Sequence, residues 1–157
     1  MEIEIVLKEA TAQKDDFKVV QRGDKIESIN KLNQVFHYID LSYTKQGIFF
    51  HGWNGFRTTE QLKDVLSGHF MDLFKKHKCK SAIVESTKMS GSFNEANDWL
   101  AGVFMPKLIG MGLTKVAVVL PHNIFAQMAV DEWDKKIGGF SSRNFGSVSD
   151  AVAWLKS

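Results

Sequence analysis

The chain has 157 residues, 44% of them hydrophobic and 24% charged, with a net charge of +2 at neutral pH. That length suits one domain able to bury about two thirds of its unfolded surface. So small a charge does not mark a nucleic-acid partner, which needs basic residues concentrated on one face, and no apolar stretch reaches the ~20 residues of a membrane span.

Cys79 is the only cysteine, so no internal disulfide can form, which suits a reducing compartment. The opening Met1-Glu2-Ile3-Glu4-Ile5-Val6 is acidic and alternating, unlike a signal peptide. A cytoplasmic protein is the expectation. The densest basic run, Lys75 to Lys80, falls where a helix should end, and the helix dipole accounts for it there.

Alternation of Ile3, Ile5 and Leu7 with Glu4, Val6 and Lys8 predicts a short strand over 2–8. Residues 10–33 are polar, broken by Phe17-Lys18-Val19-Val20. They read either as an extra edge hairpin or as a loosely attached arm, and the pattern leaves both open. Residues 35–43 and 47–53 are rich in aromatic and β-branched side chains, with Thr44-Lys45-Gln46-Gly47 as the turn of an antiparallel hairpin. Thr58 and Gln61 then form a capping-box signature. Leu62, Val65, Leu66, Phe70, Leu73 and Phe74 continue at helical spacing to residue 77.

A strand over 80–86 follows, and Ser92 with Glu95 reads as a second capping box. The helix it opens carries Ala96, Trp99, Leu100, Val103 and Phe104, and Pro106 should kink it or split off its last turn. The run Lys115 to Pro121 is wholly apolar after its lysine, so it should be covered on both faces, as in the centre of a parallel sheet. Asn123 is the expected cap of a helix using Phe125, Met128, Ala129, Trp133 and Ile137, stopped by Gly138-Gly139. A strand over 140–145 and a last helix capped by Ser147 complete the chain. The predicted fold is α/β: a mixed, mostly parallel sheet of about five strands with helices on both faces, in one domain spanning 1–157.

In such sheets ligands gather beyond the carboxyl ends of the parallel strands. Four loops meet there: 54–57, 86–93, 121–123 and 145–147. The second puts Ser90 and Ser92 ahead of a helix N-terminus, where an anion can dock. Walker and Gly-x-Gly-x-x-Gly phosphate loops are absent. The five histidines, His37, His51, His69, His77 and His122, show no ligand spacing, so no metal or other cofactor is expected. His122, just after the central strand, is the candidate general base of a catalytic reading. Core packing is the default for Trp53, Phe56, Phe93, Trp99 and Phe125. Together with Met89 they can instead wall an apolar pocket anchored by Ser90, Ser92 and His122.

The run Phe49-Phe50-His51-Gly52-Trp53-Asn54-Gly55-Phe56 resembles the strand end carrying a Trp-x-Gly pattern in small bacterial STAS-like, or SpoIIAA-like, proteins. Val116 to Pro121 with Phe125-Ala126-Gln127-Met128 is similar to a second segment of that group, and Ala151-Val152-Ala153-Trp154-Leu155 to a third. The resemblance covers residues 34–157 and leaves 1–33 as an N-terminal extension. It implies a non-enzymatic domain that binds a protein partner or self-associates as a homodimer. In the related lipid-transfer branch it implies an apolar small-molecule ligand. The turn that holds a phosphorylatable serine in the antagonist branch corresponds to Lys88-Met89-Ser90-Gly91-Ser92, which keeps Ser-Gly but lacks the preceding Asp.

Overall fold

The computed structural model describes residues 3–126, 134–137 and 139–157. Its chain order is β1 (Glu4–Lys8), β2 (Lys18–Arg22), β3 (Lys25–Ile29), β4 (Val35–Asp40), a 3-10 turn (Leu41–Gln46) and β5 (Ile48–Gly55). Helices α1 (Thr59–Ser67) and α2 (His69–His77) lead to β6 (Ser81–Met89). A 3-10 turn (Asn94–Ala96), α3 (Asn97–Trp99), a π turn (Leu100–Phe104) and α4 (Met105–Gly110) lead to β7 (Lys115–Val119). Then come α5 (His122–Ala126), β8 (Asp134–Ile137), β9 (Phe140–Phe145) and α6 (Val148–Leu155).

The strands form one sheet in the order β1-β2-β3-β4-β5-β6-β7-β9-β8. The α/β class and the mixed sheet are as expected, but the strand count is not: among the described residues the sheet has nine strands rather than about five. Parallel pairing is confined to β5–β6, β6–β7 and β7–β9, and every other neighbour pair is antiparallel. The difference lies mainly at the N-terminus, where residues 4–29 supply three paired strands. Phe17, Val19 and Ile26 from them are buried in the main core. At the other end Asp134–Ile137 is an edge strand on β9 rather than the end of a helix. Met128, Ala129 and Trp133 lie outside the described residues.

Strand alternation sorts the side chains. From β3 to β7, Ile26, Ile39, Phe49, Trp53, Ala82 and Val116 face α1, α2 and α4. Phe49 meets Phe70 and Phe74 edge-on, with ring centroids 5.0 and 5.4 Å apart, a geometry worth about 0.5–1.5 kcal/mol per pair beyond burial. On the far face Ile48, Phe50, Ile83, Ala117 and Val119 lie with α6, which buries Ala151. Helices thus cover both faces of the parallel half.

Thr58 caps α1 in the predicted box, with Gln61 answering the Thr58 backbone. The predicted helix over 58–77 breaks at Gly68, where a Cβ would stand 2.7 Å from the Asp64 carbonyl oxygen. The second capping box does not form. Ser92 Oγ accepts a long 3.5 Å bond from the Asn94 amide, and Glu95 turns away to accept from Thr59 Oγ1 at 3.0 Å. Pro106 sits in the first turn of α4, directly after the π turn, which is where its missing N–H and ring are tolerated. Ser147 caps α6 by accepting from the Asp150 amide at 3.2 Å.

Candidate functional site

At the carboxyl end of the sheet the site is organised by Arg57, which the sequence placed in a loop without a role. Arg57 is only 4% exposed. Its Nη1 donates to the Ser90 carbonyl at 2.7 Å and its Nη2 to the Ser92 carbonyl at 2.5 Å. The guanidinium lies 4.4 Å over the Phe93 ring, and the Ser90 amide donates to the Gly55 carbonyl at 3.0 Å. Burial pushes the Arg57 pKa down, yet carbonyl acceptors and an aromatic face keep a planar cation satisfied there. One side chain therefore ties the 54–57 loop to the 86–93 loop.

The candidate aromatics separate. Trp53 is buried, 4.4 Å from the His37 ring and 5.7 Å from Phe93. Phe93, Met89 and Trp99 are partly buried against the same core, with Trp99 stacked on Phe104 at 5.7 Å. Phe56 does the opposite and is 66% exposed. A Cβ on Gly91 would lie 3.5 Å from its ring, so the turn and the ring are neighbours. Ser90 and Ser92 are exposed, and their carbonyls, not their hydroxyls, meet Arg57. His122 and Phe125 form a second group beside Gly146, where a Cβ would lie 3.4 Å from His122 Nδ1 and 3.1 Å from Phe125. His122 is exposed and Phe125 partly buried.

An open apolar cleft of about 580 Å³ lies at the opposite end of the strands, between α4 and the starts of β7 and β9, with Met105, Ile109, Leu113 and Phe140 among its walls. A smaller cleft of about 330 Å³ opens on the far face over Tyr38, Phe50, Glu85 and Lys88.

Three histidines that look scattered in sequence meet under α2. His37 Nε2 and His51 Nδ1 are 3.0 Å apart, and His69 Nε2 reaches Ser28 Oγ at 3.4 Å. Burial holds all three below the usual imidazole range, His37 well below, His51 down to about 3 and His69 to about 4. The Nδ1 of His37 is buried and has no hydrogen-bond partner among the described residues. The signal was hairpin register: His37 pairs with Trp53 and Ile39 with His51, which makes the two histidines diagonal neighbours on one face. Among the described residues no group of His, Cys, Asp and Glu is arranged to hold a metal. Cys79 is buried, which pushes its thiol pKa up and makes a poorer nucleophile.

Among the described residues no helix is long and apolar enough to cross a membrane. No family model matches the chain, and neither a curated protein nor a solved structure matches it.

Proposed function

We propose that this chain is a non-catalytic, STAS-like domain of the SpoIIAA-like group that acts in the cytoplasm by protein contact, through a ridge crowned by Phe56. The observation that carries the reading is a contrast within one edge. Trp53 is sealed in the core, while Phe56, three positions further along the chain, stands exposed on a loop locked by Arg57. A large exposed aromatic on a braced loop, rimmed by Ser90, Gly91 and Ser92, suits insertion into an apolar pocket of another protein. The non-catalytic reading is supported by the burial of His37, His51 and Cys79, which keeps those groups neutral and away from substrate.

Affinity capture from the cells that make the protein tests the ridge. Phe56→Asp should lose a partner that the wild type and Ile109→Asp both retain. Its own stability should change by no more than about 0.5 kcal/mol, because the site is exposed. Equal capture by Phe56→Asp and wild type would contradict the reading.

A second reading has its own observation. The apolar cleft of about 580 Å³ has the size and lining of a small-molecule site. It lies away from Trp53, Phe56, Met89, Phe93, Trp99 and Phe125. An apolar ligand carried there would be displaced by Ile109→Trp and untouched by Phe56→Asp.

A further inference from the structure

Strand β1 ends the sheet, its outer backbone edge unpaired among the described residues. All five of its residues are exposed, and Ile5, Val6 and Leu7 are 52%, 45% and 48% exposed. Edge strands are ordinarily protected by charge. The opposite edge follows that rule, since the sequence of β8 is Asp134-Lys135-Lys136-Ile137. β1 instead places three apolar residues in a row between Glu4 and Lys8.

That row is complementary to itself. Ile5 pairs with Gln21, which pairs with Ile26 of the helix-covered core, so Ile5 faces the helix side. Leu7 lines a cleft with Phe17, Val19 and His69 and so faces the same side. Val6 pairs with Val20 and through it with Glu27, on the far side. An antiparallel partner strand centred on Val6 sets Val6 against Val6 on the far side and Ile5 against Leu7 on the helix side, twice. Moving the centre to Ile5 would set Glu4 against Val6. The Val6 register also brings the Glu4 end of one copy beside the Lys8 end of the other, keeping like charges apart. A bulge between Val6 and Lys8 confines the pairing to a short segment.

We infer that β1 is the seam of a two-fold homodimer, in which two copies pair antiparallel about Val6 and continue the sheet from one chain into the other. The seam is isologous, so the contact closes at two copies. One short strand pair holds it, so the dimer dissociates on dilution. It does not involve the Phe56 ridge.

Sedimentation velocity from micromolar to several hundred micromolar protein tests the seam, with far-ultraviolet circular dichroism and thermal melting as the folding control. Wild type should shift from monomer to dimer. Ile5→Lys and Leu7→Glu should each weaken dimerisation at least about tenfold, by setting a lone charge against an apolar neighbour. The double variant Ile5→Lys/Leu7→Glu should recover it, because each new lysine then faces a new glutamate. Phe56→Asp should dimerise as wild type does, which separates the seam from the ridge. Wild type that stays monomeric throughout, or a dimer indifferent to both single changes, would overturn the proposal. A double variant no better than the singles would overturn the Val6-centred register.

Discussion

Strands β4 to β6 present two different surfaces through their alternate residues. On the helix side His37, His51 and Trp53 lie sealed under α2, with the His37 Nδ1 unpartnered among the described residues. On the far side the Tyr38 hydroxyl crosses the strand between and donates to Glu85 Oε2 at 3.3 Å, and Glu85 also accepts from the Thr87 hydroxyl. That crossing depends on Gly52, where a Cβ would stand 2.6 Å from the Tyr38 ring. Tyr38 keeps its proton, because burial and the neighbouring Glu85 carboxylate push its pKa up. Polar groups on the far face are paired beside an open cleft. Those on the helix side are neutral groups with little tolerance for charge. Acid should therefore attack the molecule from the helix side.

Among single substitutions the largest effect should come from emptying the sealed side. Trp53→Ala removes the ring that packs on His37 and Phe93. It should cost about 3–5 kcal/mol in urea unfolding, by lost burial and a cavity. An unchanged midpoint would mean that the tryptophan is not a core residue.

Acid comes next. His37, His51 and His69 are neutral in the folded state, whereas in the unfolded chain each takes a proton near pH 6.5. The unfolded state therefore binds more protons below that pH. Stability should hold above pH 6.5 and fall as pH drops toward the folded values, by roughly 1.4 kcal/mol per pH unit for each histidine. Lys8 lies near His69 and opposes its protonation, whereas Asp72 favours it. Urea unfolding from pH 7.5 to 4.5 reads the slope. The double variant His37→Phe/His51→Phe should flatten it to about the share of one histidine, and a slope unchanged by that variant would place the acid response elsewhere.

Arg57→Lys should cost about 1.5–3 kcal/mol, because a lysine cannot reproduce the planar two-carbonyl fork. Hydrogen exchange should accelerate in residues 86–94 more than in β4. On the far face Gly52→Ala should cost about 1–3 kcal/mol by lifting Tyr38 off the sheet. Pairing it with Tyr38→Ala should recover part of that loss, since the clash disappears. Additive losses in the double variant would show that the two residues do not share a contact.

Much of the parallel half was legible because burial on both faces leaves a strong apolar run at 115–121, and because Thr58 and Ser147 cap as their side chains suggest. What escaped was turn chemistry. Gly23-Asp24 joins β2 to β3, and in the sequence Gly138-Gly139 falls between Ile137, the last residue of β8, and Phe140, the first of β9. Both are two-residue hairpin signals, and reading them would have raised the strand count. Asp40 accepts from the Ser42 amide at 3.0 Å and caps the 3-10 turn over 41–46. The Gly47 amide bonds back to the Thr44 carbonyl at 3.0 Å, so the expected turn at 44–47 closes a longer connection, 41–47, between the strands that carry His37 and His51. Arg57 was hidden for a different reason. Its partners are carbonyls more than thirty residues away, which leave no mark on residue type.

Native mass spectrometry of the protein purified from its own cells tests the protein-contact account most directly. If the chain acts by protein contact, chains should appear at their unmodified mass, as monomer and dimer, with any further mass belonging to a protein whose retention requires Phe56. A bound species of a few hundred daltons, lost on denaturation and retained by Phe56→Asp, would contradict it and make the chain a carrier of small molecules.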